Sequence, residues 1–224
     1  MKTFGKEPEM LTVMVQGADP DRIRELMTLS IPEGAEAFGM QFEQLRPEYR
    51  TKETYRELFA FAGIRPVYAT NYRTGYNGEK TDDQLAAELL EIAECGATLC
   101  DMMGDYFDRQ PDEMAVHPSP IEKQQELIAQ LHQRGAKVLM SSHIFRFTPA
   151  ERVLEIALEQ QRGRGHLQDR RGRFRCGGGA GKPADHYAAE RIAENSLSVS
   201  QHRAVRTFAA GRGQAWLLHV SVRL

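Results

Sequence analysis

Thr81–Met103 reads TDDQLAAELLEIAECGATLCDMM. As far as Cys95 its apolar residues recur at helical spacing, with Leu85, Leu89, Ile92 and Ala93 on one face. Gly96 supplies a stop signal, and Thr98–Met103 is short and apolar enough for a buried strand. The same alternation extends in both directions. Upstream lie a strand at Leu11–Gln16, a helix opened by Asp19-Pro20 with Asp19 as N-cap, a strand at Ala35–Phe42, a helix at Thr51–Ala62 closed by Gly63, and a strand at Pro66–Asn71. Downstream lie a helix at Ser119–Arg134 closed by Gly135, a strand at Lys137–Ser142 (KVLMSS) and a helix at Thr148–Gln161. Five βα units in strict alternation imply a parallel sheet with crossover helices. They fit a doubly wound sheet or part of an eight-fold barrel. No Gly-x-Gly-x-x-Gly follows a strand and no Walker lysine motif is present, which weighs against a nucleotide-binding sheet.

The chain has 224 residues, a net charge of -2 and 41% hydrophobic residues, enough for one sizeable core. Three cysteines make no disulfide framework. No run approaches the roughly 20 apolar residues of a membrane span. Met1–Met10 is polar and charged, unlike a secretory signal, so a cytoplasmic protein without membrane partners is expected.

The small net charge hides a split. Residues 1–161 hold 17 Lys+Arg and 27 Asp+Glu, a net of -10, whereas residues 162–224 hold 12 and 4, a net of +8. The βα pattern also stops at this boundary, giving two expected regions, 1–161 and 162–224. Arg162–Arg175 (RGRGHLQDRRGRFR) and Gly177–Gly181 have no apolar period; Ala184–Ala193 could form a weak helix and Ala215–Leu224 a strand. One reading is a basic arm that touches nucleic-acid phosphates. Its aromatics, Phe174, Tyr187, Phe208 and Trp216, are too scattered for a base-stacking platform, which ranks that reading low. Another is a stretch without selected function. A third is a shifted reading frame. Back-translated and read one base later, Arg164–Arg170 permits Ala-Asp-Ile-Cys-Lys-Ile-Val, and Asn195–Arg203 permits Ile-Pro-Phe-Leu-Phe-Leu-Ser-Thr-Gly. With Trp216–Val222, these are three apolar stretches at βα spacing in one consistent frame.

Parallel α/β folds place ligands at strand C-termini. Those ends carry Gln16, Gln41 with Glu43, Asn71 with Arg73, Asp101 with Met103, and Ser141-Ser142-His143. His143 directly follows its predicted strand, where an imidazole can exchange protons near neutral pH, although it could also simply bond a loop. The Arg73 guanidinium suits a carboxylate or phosphate; on spacing alone a surface pair with Glu79 competes. Asp101 and Asp105 are acid/base candidates, and Asp101 reads equally as a structural carboxylate satisfied by its neighbours. Cys95-x4-Cys100 is not metal spacing and reads as core thiols, His117 and His132 read as surface, and Met102-Met103 as core filler. No metal or cofactor site is expected.

Lys137–Pro149, KVLMSSHIFRFTP, resembles the strand-five motif of type I 3-dehydroquinate dehydratases, commonly KVIxSxHDFxxTP. Pro66–Glu79 resembles that family's third strand and arginine loop, and the resemblance covers residues 11–161. It implies a (β/α)8 TIM barrel cut to about five βα units plus an irregular basic tail. It also implies a lyase of the shikimate pathway that dehydrates 3-dehydroquinate through a lysine Schiff base, with no cofactor. His143 matches the catalytic histidine, Arg73 a substrate-binding arginine, and Gln41 stands at a substrate contact; a small carboxylate substrate and a homodimer fit this reading. The match is incomplete. The family's Glu-Trp-Arg is here Gly39-Met40-Gln41, its strand-four carboxylate falls at Met103, and the Asp after the histidine is Ile144. These departures keep a different barrel enzyme, such as an aldolase or sugar-phosphate isomerase, in play. The family lysine lies in a motif like Ala-Asp-x-x-Lys-Ile, which only the shifted frame supplies, so the chain as written is expected to be catalytically impaired. Reading the coding DNA around Arg162 in all three frames is expected to show this lysine one base out of register; its absence from every frame refutes the shift.

Overall fold

Local capping signals set the ends of the elements. The computed structural model of the chain describes residues 10–162 and 218–223. Strand β1 spans Thr12–Val15 and helix α1 Pro20–Ser30, where the Asp19 side chain accepts from the Arg22 amide at 2.9 Å. Strand β2 (Ala37–Gln41) precedes α2 (Lys52–Ala62), which is capped by Thr51 and closed by Gly63 at φ 66°. Strand β3 (Val67–Thr70) precedes α3 (Asp82–Glu94), whose capping box joins Thr81 and Gln84. Then come β4 (Leu99–Met103), α4 (Pro118–Gln133), β5 (Lys137–Ile144), α5 (Ala150–Arg162) and β6 (Leu218–Arg223).

The sheet order is β1-β2-β3-β4-β5-β6, with β1 to β5 parallel. Each crossover therefore advances the sheet by one strand in the same direction. Right-handed crossovers then put the helices on one face, and α1 packs on α2, α2 on α3 and α3 on α4. Strand order never reverses, so the chain is wound in a single direction, as in barrels, and the doubly wound alternative is excluded.

Strand alternation sorts the side chains. Phe38, Met40, Ala69, Cys100, Met102, Val138 and Met140 join the core cluster with helix residues such as Ile23, Leu58, Leu89 and Leu127. Cys100 is buried and its thiol is pushed up to about 12 by burial, which fits a core thiol. The opposite face carries Met14, Gly39 and Tyr68: a Cβ on Gly39 would meet Met14 Sδ at 2.0 Å and Tyr68 Cδ1 at 3.1 Å. Among the described residues no helix is long and apolar enough to cross a membrane.

Two elements differ from the sequence expectation. Strand β5 runs two residues past Ser142, so His143 lies inside the strand. The cause is β6, which pairs antiparallel with β5 from Leu139↔Arg223 to Ile144↔Leu218 and sets His143 opposite His219. The strand expected within Ala215–Leu224 thus covers an edge that would otherwise present unpaired backbone groups. The expected helix at Ala184–Ala193 and the shifted-frame stretches Arg164–Arg170 and Asn195–Arg203 lie outside the described residues. Deleting residues 218–224 is expected to expose the β5 edge, raise the oligomer size in light scattering above that of the parent chain and lower the unfolding midpoint; an unchanged size and midpoint contradict this role.

Candidate active site

The C-terminal ends of β2 to β5 gather a polar group on the face turned away from the helices. At its centre is Asp101 of β4, 2% exposed. One of its oxygens accepts from the Tyr68 hydroxyl of β3 and, at 2.8 Å, from the Tyr72 hydroxyl just beyond β3; the other accepts from Ser141 of β5 at 2.5 Å. Three donors suit an acceptor-only carboxylate. Asp101 is therefore satisfied by its neighbours, the structural alternative read from the sequence. Burial, followed by the Asp101 charge, raises both phenols well above the usual tyrosine value, so both remain donors at neutral pH.

Glu43 lies in the 3-10 turn after β2 and is 1% exposed. It accepts from Thr70 Oγ1 at 2.9 Å and from the Tyr72 amide at 3.4 Å. Burial is the main cause that raises its pKa above 4.5; the nearby Asp101 adds to the rise, and the hydrogen bonds oppose it.

His143 completes the cluster. Its ring stands edge-on to Tyr72, with centroids 4.9 Å apart. Its amide donates to Glu113 Oε2 at 2.5 Å, and its Nδ1 lies 3.1 Å from the same oxygen. This pairing assigns the proton to Nδ1 and the basic site to Nε2. Burial pushes the imidazole pKa down, but the Glu113 hydrogen bond and the charges of Asp101, Glu113 and Glu43 push it up further, and it ends above 6.5.

Arg73 sits elsewhere. Its Nε and one terminal nitrogen bond Asp82 at 2.7 and 2.8 Å, and the other terminal nitrogen bonds Asp105 at 2.6 Å. Glu79 is not the partner. Burial opposes the charge, but these two carboxylates hold the guanidinium pKa above its ordinary value. Burial likewise raises Asp105, against the pull of Arg73. Arg50 is equally committed, to the Leu45 and Glu43 carbonyls, Asn77 and Glu88. Gln41 ends β2, pairs in register with Thr70 and makes no side-chain hydrogen bond among the described residues.

The structure therefore brings His143 together with Glu43, Asp101, Tyr68, Tyr72 and Glu113, and leaves Arg73 in a separate ion-pair cluster. Asp101 and Ser141 were read from the sequence as strand-end residues; Tyr68 and Tyr72 were not singled out, although strand alternation puts Tyr68 on the same face as Gly39. Glu113 was not legible: it lies in an irregular loop with no periodicity. Among the described residues, Lys52, Lys80 and Lys123 pair with Glu94, Glu88 and Asp83. Lys137 opens β5 six residues before His143, roughly 20 Å along the strand. No described lysine stands beside the imidazole, and no group of ligating side chains among the described residues could hold a metal.

No protein-family model matches the chain, and no curated protein sequence matches it. Solved structures do. The fold is similar to 3-dehydroquinate dehydratase from Geobacillus kaustophilus HTA426, with TM-score 0.58 and 17% identity over 71% of this chain and 59% of that one. It is similar to type I 3-dehydroquinate dehydratase from Clostridium difficile, with TM-score 0.53 and 19% identity over 69% and 59%. A third is 3-dehydroquinate dehydratase from Enterococcus faecalis, with TM-score 0.53 and 16% identity over 69% and 62%. The chain thus spans about three fifths of the length of these dehydratases. Its class is an α/β protein with the fold of these barrel enzymes, which agrees with the resemblance read from Lys137–Pro149.

The raised pKa of His143 has a consequence for stability. The His143–Glu113 pair contributes fully below pH 6.5, the unfolded value, and its contribution is lost as pH rises through the higher folded value. Urea unfolding midpoints are expected to fall across that window. Glu113→Gln should flatten this part of the profile and cost about 1.5 kcal/mol at the low-pH end, as for a charge-assisted hydrogen bond.

Proposed function

We propose that the chain is a divergent relative of type I 3-dehydroquinate dehydratases in which the acid–base part of the chemistry persists and the Schiff-base part is missing. The observation that carries this reading is the imidazole of His143 at the C-terminal end of β5, tied through Nδ1 to Glu113 at 3.1 Å, on a fold similar to those dehydratases. In this reading His143 moves the proton alpha to the substrate ketone and returns one to the departing hydroxyl. The ring is placed for this between Tyr72 and Glu113. The acidic wall of Asp101 and Glu43 stabilises the imidazolium that forms.

A general base of this kind supplies about 10²–10⁴-fold acceleration. The larger contribution in a Schiff-base lyase comes from a lysine iminium, which takes up the electron pair released when the proton leaves. Without that lysine, turnover is expected to be impaired. Substrate recognition in this reading falls to Gln41, through its amide, and to Arg73, which reaches a carboxylate by exchanging Asp105 for it. The acidic half that carries these groups points to a small-molecule ligand and gives no reason to invoke nucleic acid. A cytoplasmic setting follows from the pathway this reading implies.

Purified full-length chain is expected to show no release of 3-dehydroshikimate and no lysine adduct after borohydride treatment with 3-dehydroquinate. Binding of 3-dehydroquinate should still move the His143 imidazole resonances. A borohydride-trapped adduct refutes the impaired reading, and unchanged His143 resonances at saturating 3-dehydroquinate refute the substrate class.

A further inference from the structure

Glu113 reaches His143 from a segment whose shape needs an explanation. After β4 the chain folds back across the ends of β4 and β5: the Gly104 amide donates to the Ser141 carbonyl at 2.8 Å, and the Ala115 amide donates to the Gly104 carbonyl at 2.9 Å. The approach is so close that a Cβ on Gly104 would lie 2.4 Å from the Glu113 carbonyl oxygen, a backbone atom that cannot rotate away. Glu113 itself has φ 47°, left-handed backbone that a glutamate adopts at a cost. Such a conformation persists only when the surroundings over-determine it.

The restraints are visible. At the base of the segment, Asp108 Oδ2 accepts from the Val116 and His117 amides at 2.8 and 3.0 Å. The Glu113 carbonyl accepts from Ser142 Oγ at 2.7 Å. The third restraint is Asp112. One of its oxygens pairs with Arg146, in the loop after β5, and the other lies 3.0 and 2.9 Å from two nitrogens of Arg152 on α5. Asp112 is largely shielded, at 19% side-chain exposure, and bridges two cations from separate elements. Its neighbour in sequence is the strained residue that carries the carboxylate.

We infer that Asp112 is a positioning residue for His143: by latching the segment to Arg146 and Arg152 it holds Glu113 in left-handed backbone, with the carboxylate against Nδ1. Asp112 does not touch the imidazole and acts through Glu113. The inference rests on the reading of His143 as the proton carrier. Among the described side chains, Glu113 from this segment, Asp101 from β4, Glu43 from the turn after β2 and the Tyr72 ring act on His143; β6 pairs His219 with it in backbone register. Only Glu113 among them depends on the latch.

The test is an NMR titration of the His143 imidazole in the full chain, assigned by its loss in His143→Gln. Glu113→Gln is expected to lower the His143 pKa, because burial then acts without its main opposing partner. Asp112→Asn should lower it in the same direction, and the double variant should go no lower than Glu113→Gln alone. Arg146→Gln, which changes a side chain 56% exposed, provides a second variant that spares the segment itself and should shift the pKa the same way by less. If Glu113→Gln shifts the titration while Asp112→Asn and Arg146→Gln leave it at the wild-type value, Asp112 is only a surface ion pair and the inference is overturned. If Glu113→Gln also leaves it unchanged, the His143–Glu113 pair is refuted, and with it the acid–base reading on which the inference rests.

Discussion

Asp101 is the constraint on which the site depends. A carboxylate buried in the middle of a parallel sheet is costly unless both of its oxygens are hydrogen-bonded. Here the compensation comes from both neighbouring strands and the turn beyond one of them: Tyr68 from β3, Tyr72 from just past β3, and Ser141 from β5. One residue thereby pins three strands in register on the face opposite the helices. The same bonds fix the Tyr72 ring, against which His143 stands. The position of the imidazole thus follows from satisfying a charge one strand away.

The electrostatics of this face follow from the same arrangement. Asp101, Glu43 and Glu113 act on one histidine, and Arg73 and Arg50 are already neutralised, Arg73 by Asp82 and Asp105 and Arg50 by carbonyls, Asn77 and Glu88. This buried, acidic, hydroxyl-rich cluster stabilises a protonated imidazole and gives the described part of the site little free positive charge. Holding a proton comes more readily to it than gripping an anion. In the neighbouring dehydratase folds the chain spans about three fifths of each protein.

Much of the architecture was legible because it is written in short-range signals. The helical period of Thr81–Cys95, the Thr81/Gln84 box, the Asp19-Pro20 start and the glycine stops at 63, 96 and 135 each act within one or two turns. The candidate residues at strand ends were legible in kind, because strand C-termini in such folds point to one end. Their partners were less so. Arg73 lies six residues from Glu79 in sequence, yet its charge is met by Asp82, nine positions away, and by Asp105, thirty-two positions away. Glu113 carries no pattern, because its placement follows from a loop that turns back on Gly104.

The sequence by itself determined the five βα units, their alternation and the candidacy of His143, since local capping and apolar periodicity need no knowledge of distant residues. Only the tertiary structure decided that the units wind in a single direction, that Leu218–Arg223 closes the β5 edge and draws His143 into the strand, and that Asp101 rather than Arg73 anchors the site. The reason is physical. Strand order, edge pairing and the neutralisation of buried charge join residues far apart in the chain, and their energies depend on which groups meet once the backbone has closed around them.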